Sequence, residues 1–202
     1  MTARRIVVGI SGASGAILGV RLLEILRELE VETHLVLTRA AVLTIGHELG
    51  RPIGSVKALA SVVHPLMDVG AAIASGSFRT DGMIVAPCSM RTLAAIATGV
   101  TDTLLTRAAD VVLKERRRLV LLARETPLHL GHLRNMVAVT EMGAVVMPPV
   151  PAFYAAPASL DAIVDQILGR ALDLFELDWA KVTRWRGGRP GEVVGSGPSR
   201  EG

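Results

Sequence analysis

Residues 5–10 (RIVVGI) form a short apolar, β-branched run that ends in a loop of small residues, Ser11-Gly12-Ala13-Ser14-Gly15. The five consecutive apolar-leaning positions after Arg5 read as a strand buried on both faces, as in a parallel sheet. Behind the loop, residues 16–30 carry Leu18, Leu22, Ile25 and Leu29 at steps of three and four, so these side chains share one helical face. Strand, tight loop and amphipathic helix in this order restrict the chain to folds in which a helix crosses back over a sheet to begin the next parallel strand.

The pattern recurs. Residues 33–38 read as a second strand and 39–49 as a second helix. Residues 50–81 are less regular, with a short helical piece near 56–61 and a Gly/Ser/Ala-rich stretch, 70–77, that reads as a loop with room for a brief strand. A strand over 83–86 then ends in Pro87-Cys88-Ser89. Helices follow over 92–97 and 104–117, a strand over 119–123, a helix near 129–142 and a strand over 144–147. Pro148, Pro149, Pro151 and Pro157 make the next stretch a rigid extended loop. Ser159 caps a last long helix with Asp161 in its first turn. Strands alternating with helices predict an α/β single-domain three-layer sandwich, Rossmann-like or flavodoxin-like, with a mostly parallel sheet. At 202 residues the chain matches one core of ordinary size, about 100–200 residues. The domain is expected over residues 1–186, and residues 187–202, rich in Gly, Pro and Ser, are expected to be a disordered tail.

Half of the residues are apolar, yet there are only three Phe, two Trp and one Tyr. The core is therefore aliphatic, and each aromatic residue becomes a candidate for a special role. The net charge is +3. The one dense basic run, Lys114-Glu115-Arg116-Arg117-Arg118, has no interleaved aromatics to stack bases, so it reads as a solvated helix end and not as a nucleic-acid surface. The single cysteine, Cys88, favours a reducing compartment. No signal-like apolar segment opens the chain, and no uncharged apolar stretch reaches the ~18–20 residues of a membrane span. A cytoplasmic protein that binds neither nucleic acid nor membrane is expected.

In such folds ligands lie at the carboxyl ends of the strands. There the sequence places the loop 11–15, Thr38-Arg39, the segment from Cys88 to Thr92, Arg124-Glu125-Thr126 and, last, Phe153-Tyr154. The first loop offers backbone N–H groups and the Ser11 and Ser14 hydroxyls to a phosphate; a plain strand-to-helix turn capped by Ser uses the same residues. Glycines at 9, 12 and 15 fit neither G-x-G-x-x-G nor a Walker A loop. No acidic residue follows the second strand to hold a ribose, which favours a mononucleotide over NAD, while Arg39 leaves a 2′-phosphate open. Ser89 and Thr92 suit either helix capping or a phosphate and ribityl chain. Cys88 reads as a buried, inert thiol. Arg107, Lys114, Arg124 and Arg170 are cations near helix and strand ends, with Arg124 aimed at the cleft. Glu48 and Glu125 are carboxylates beside the same edge, suited to moving a proton or holding a cation. His129 and His132 share a helical face without a third ligand, so no metal is expected.

Several segments in this order resemble one family: GISGASG at 9–15, ASGSF at 74–78, PCSMRT at 87–92, RAADVVLKERR at 107–117, RETP at 124–127 and PVPAFY at 149–154. Together, over residues 4–186, they are similar to the UbiX-type flavin prenyltransferases, the partners of UbiD-type decarboxylases. The resemblance implies alkylation of reduced FMN by dimethylallyl phosphate, first at N5 and then by ring closure at C6. The product is prenylated FMN for a partner decarboxylase, and no metal takes part. It assigns FMN to Gly12, Ala13, Ser14, Thr38, Ser89, Met90, Arg91, Thr92 and Arg124, and the prenyl phosphate to Arg107, Lys114, Tyr154 and Arg170. It gives Ser14 and Glu48 proton movement, puts Lys114 and Glu125 with the catalytic groups, and implies a homo-oligomer, often a dodecamer. The loop 68–74 lacks a Trp that some members carry. Two alternatives stand beside this one. An FMN-dependent cysteine-type decarboxylase would need an Asn-containing segment at 87–92 and a Met-rich clamp, neither of which is here. A non-catalytic FMN-binding accessory subunit would not need the second phosphate site.

Overall fold

The computed structural model describes residues 4–185 and 187. Six strands alternate with helices: β1 (Arg5–Ile10), α1 (Ala16–Glu28), β2 (Glu32–Leu37), α2 (Arg39–Leu49), α3 (Ile53–Lys57), β3 (Val62–His64), β4 (Gly82–Cys88), α4 (Met90–Ala97), α5 (Leu104–Lys114), β5 (Arg118–Ala123), α6 (Leu130–Glu141), β6 (Val145–Val146) and α7 (Leu160–Asp173). All neighbouring strands are parallel, in the order β3-β2-β1-β4-β5-β6. This is the three-layer, Rossmann-like arrangement expected from the alternation.

Alternate residues of the buried strands face opposite layers. Ile6, Val8, Ile10, Ile84 and Val120 pack with α1 and α7. Val7, Met83, Val85, Leu119 and Leu121 pack with α4, α5 and α6. The helices on the two faces are therefore separated by the whole thickness of the sheet.

The expected boundaries shift where local geometry intervenes. α1 stops at Glu28 because Glu30 turns to φ 55, and α5 stops at Lys114 because Arg116 turns to φ 56. β4 runs past the expected 83–86 through Pro87, where the pairing with β5 slips between Val85 and Cys88; proline is tolerated at such an irregularity. The helix expected near 56–61 lies earlier, at α3. The segment that follows forms β3, a strand the sequence reading missed. β3 is a three-residue edge strand with Val62 and Val63 exposed, and pairing with β2 defines it more than any apolar pattern of its own. Residues 70–77 hold a 3₁₀ turn, Ala72–Ala74, and no strand. Ser159 caps α7 as expected, accepting from the Ala162 N–H. The expectation of a disordered tail at 187–202 falls, apart from Gly187, outside the described residues.

Candidate functional site at the topological switch point

The strand order reverses between β1 and β4, so the loops that leave their carboxyl ends diverge and open a crevice. Ser11 ties the two loops together. It is buried, its hydroxyl donates to the Pro87 carbonyl at 2.8 Å, and its oxygen accepts the Ser89 N–H at 2.7 Å. Its hydroxyl is thus a structural staple and not the ligand donor that the sequence suggested. Gly12 lets α2 approach: a Cβ there would lie 2.2 Å from the Ala40 Cβ. Gly15 adopts φ +97, a conformation that favours glycine, and starts α1.

Glu48, at the end of α2, reaches across to α1. Its carboxylate accepts the N–H groups of Gly15 at 2.9 Å and Ala16 at 2.8 Å. Burial pushes this carboxyl up, but hydrogen bonds from Ser14, Ala16 and Gly15 and the Arg124 charge outweigh that and hold it below the usual carboxylate range. An ionised Glu48 therefore occupies the α1 N-terminus and takes up the Gly15 and Ala16 N–H groups. Of the loop glycines, Gly12 opens on the crevice.

The crevice is a cleft of about 610 Å³ lined by Gly12, Thr38, Arg39, Ser89, Arg91 and Thr92, with Leu66 and Met67 as an apolar wall. The N-termini of α2 and α4 meet here. Thr38 caps α2 by accepting the Ala41 N–H, and Ser89 caps α4 by accepting the Thr92 N–H. Capping and cleft lining thus fall on the same residues. Ala13 is buried beside Gly12, and Met90 is half-buried at the start of α4. Arg124 follows β5, its N–H donating to the Cys88 carbonyl at 3.1 Å. Glu125 beside it is exposed and accepts the Thr126 N–H. Cys88 is fully buried and its thiol is pushed up to about 12 by burial, which matches the inert reading.

The structure does not bring the remaining candidates together within one chain. Arg107 and Lys114 lie on α5, where Arg107 binds the Ala74 carbonyl and Asp110, and Lys114 pairs with Glu115. Lys114 borders a separate hollow of about 630 Å³ where α5 meets the ends of α4 and α6. Tyr154 and Arg170 lie with α7 on the other side of the sheet. The basic run after Lys114 is also more structural than expected: Arg117 is largely buried and donates to the Phe78 and Gly76 carbonyls. Among the described residues no group of three or more His, Cys, Asp and Glu is arranged to hold a metal ion, and no helix is long and apolar enough to cross a membrane. Sequence reasoning missed Gln166, a buried polar residue on the apolar side of α7; its signal was a lone amide beside Ile163 and Ile167.

A parallel sheet with a small-residue cleft at its switch point is a nucleotide-binding arrangement, and the family model described as Flavoprotein matches residues 1–172. The flavin prenyltransferase UbiX of Thauera aromatica is 56% identical over 192 residues, which cover 95% of this chain and 99% of that one. The crystal structure of AnUbiX (PadA1) in complex with FMN and dimethylallyl pyrophosphate superposes with a TM-score of 0.91 at 56% identity, covering 93% of this chain and 100% of that one. A dodecameric FMN-dependent UbiX-like decarboxylase from Escherichia coli O157:H7 gives a TM-score of 0.89 at 52% identity, covering 91% and 100%. The chain belongs to the UbiX flavin prenyltransferase family.

Proposed function

We propose that the protein transfers a dimethylallyl group from dimethylallyl phosphate to N5 and C6 of reduced FMN, in the cytoplasm, and that the prenylated FMN serves a UbiD-type decarboxylase. The observation that carries this reading is the switch-point cleft. Its volume lies in the range of small-molecule sites, about 300–1,000 Å³. Arg39 and Arg91 supply cations beside two helix N-termini, and Leu66 and Met67 supply apolar surface for a ring. These features fit a flavin mononucleotide, which would be held by Gly12, Ala13, Ser14, Thr38, Ser89, Met90, Arg91, Thr92 and Arg124. When bound and reduced, FMN supplies the nucleophilic centres to be alkylated.

The chain supplies the rest. Glu48 is held in its charged form and so acts as an acceptor toward the Ser14 hydroxyl, which would leave a Ser14 lone pair free to accept from an N–H of a bound flavin. That pair moves the proton, with the exposed Glu125 a second carboxylate on the same edge. Departure of phosphate from an allylic carbon develops negative charge on the leaving oxygen, which Arg107, Lys114 and Arg170 and the Tyr154 hydroxyl stabilise. Because α5 and α7 lie on opposite faces of the sheet, these four residues reach one site only when protomers assemble. The homo-oligomer, a dodecamer in this reading, is therefore part of the catalyst.

The test is anaerobic incubation of the full-length protein with reduced FMN and either dimethylallyl phosphate or its diphosphate, followed by mass spectrometry of the released flavin. Prenylated FMN is expected. Recovery of unmodified FMN alone with both donors overturns the reading.

A further inference from the structure

The chain contains one glutamine, Gln166, and one tyrosine, Tyr154, and they meet. Gln166 sits in the middle of α7 and is only 5% exposed. Its amide is gripped by the backbone of a segment beyond the helix: its Oε1 accepts the Thr183 N–H at 2.9 Å, and its Nε2 donates to the Thr183 carbonyl at 2.8 Å. These opposed partners fix which end of the amide is nitrogen, because exchanging the two would set donor against donor and acceptor against acceptor. Nε2 carries a second hydrogen, and its neighbour is the Tyr154 hydroxyl oxygen at 3.4 Å. The Tyr154 ring is held in place by Trp185, edge to face at 5.7 Å between centroids.

A fixed donor aimed at the phenolic oxygen occupies a lone pair, so the phenolic hydrogen must point elsewhere. Arg170 lies one helical turn beyond Gln166 and so shares its side of α7. Its guanidinium is half-exposed and rests on Asp173. The hydroxyl oriented by Gln166 and, one turn further along α7, the Arg170 guanidinium held by Asp173 are thus two donors associated with the same helix.

We propose that Gln166 is a positioning residue that turns the Tyr154 hydroxyl into a dedicated donor to the phosphate of the prenyl substrate. This rests on the reading of Tyr154 and Arg170 as phosphate ligands given above. Gln166 itself does not touch the substrate. Its amide, clamped by Thr183, selects the rotamer of the Tyr154 hydroxyl before the phosphate arrives, so orienting that hydrogen adds nothing to the cost of binding.

Calorimetric titration of dimethylallyl phosphate into the full-length oligomer loaded with oxidised FMN tests this without turnover. Gln166→Met keeps the length of the side chain and removes the donor. It should weaken phosphate binding about threefold, the order of the ordering cost that Gln166 otherwise removes, with FMN affinity unchanged. Tyr154→Phe removes the bond itself and should weaken phosphate binding about tenfold, the order expected for one hydrogen bond to a charged group, and the double variant should be no worse than Tyr154→Phe, since contacting residues of one network are not additive. Gln166→Asn, which withdraws the amide by one methylene while keeping it polar, should reproduce the loss and serves if the Met variant does not assemble. A wild-type protein that binds no prenyl phosphate overturns the functional reading together with this proposal. Wild-type binding with multiplicative losses in the double variant overturns the positioning role alone.

Discussion

If the prenyl-phosphate ligands come from different protomers, two inactive variants should repair each other. Lys114 lies on α5, against the sheet face covered by α4, α5 and α6, and Tyr154 lies against α7 on the opposite face. On the proposed reading, Lys114→Ala and Tyr154→Phe each remove one group that stabilises the leaving phosphate. Such losses run to about 10²–10³-fold in turnover. Co-expression of the two variants with different tags, followed by purification through both, yields mixed assemblies. With equal amounts and random placement in a closed symmetric oligomer, half of the sites receive an intact α5 and half an intact α7, so about a quarter receive both. The mixture should then show about a quarter of wild-type activity, well over tenfold above either parent. The assay is anaerobic formation of prenylated FMN, followed by mass spectrometry, with assembly size checked for all three preparations. Mixed assemblies of normal size that work no faster than the mean of their parents would refute the argument from sheet faces.

Two further outcomes follow from local geometry. At Gly19, where α1 crosses β4, a Cβ would lie 2.3 Å from the Ala86 carbonyl oxygen and 2.6 Å from the Ile10 Cδ1. Alanine gains about 1 kcal/mol in helix propensity. Overpacking against a fixed carbonyl loses about 1–3 kcal/mol, so Gly19→Ala should lower the melting temperature, by roughly 2–4 °C per kcal/mol for a chain of this size; a higher melting temperature counts against the reading. Glu48→Gln removes the charge at the α1 N-terminus. Because the Glu48 carboxyl is held below its ordinary value of 4.5, its stabilisation is present above that value and fades as pH falls through the lower folded one. The variant should melt lower than wild type at neutral pH and converge with it in acid; a constant offset across the pH series would show that the charge contributes nothing.

The legible part of the fold was the part fixed by short-range pattern. β1 and α2 were bounded correctly because a β-branched run and an apolar helical period each end at a residue with its own turn chemistry. β3 was illegible for the converse reason. Its half-exposed valines make no period, and its existence depends on β2 lying beside it, a contact between residues about thirty positions apart. The site divides in the same way. Residues that cap helices at the switch point, Thr38 and Ser89, could be placed from the sequence because capping and cleft lining coincide there, and Thr92 follows as the donor to the Ser89 cap. Ser11 looked like its neighbour Ser14, and only the proximity of the β4 loop shows that its hydroxyl is spent on Pro87.

The cations resisted sequence reading for a more general reason. Arg91 pairs with Asp102 at 3.5 Å, Arg107 with Asp110 at 2.6 Å, Lys114 with Glu115, and Arg170 with Asp173. Three of these pairs lie within three residues of chain, so in the single protomer each looks like an ordinary solvated ion pair on a helix. Exposed pairs of that kind are worth about 0–1 kcal/mol. A phosphate, with more acceptor oxygens and more charge than a carboxylate, displaces such a partner at little loss and forms stronger charge-assisted bonds. Holding each of these four cations on a weak local carboxylate neutralises it in the single protomer. On the proposed reading it also leaves the guanidinium and ammonium groups ready to exchange partners when α5 and α7 of different protomers meet around one anion. The features that make these residues look unremarkable in one chain are therefore those that make them exchangeable in the oligomer.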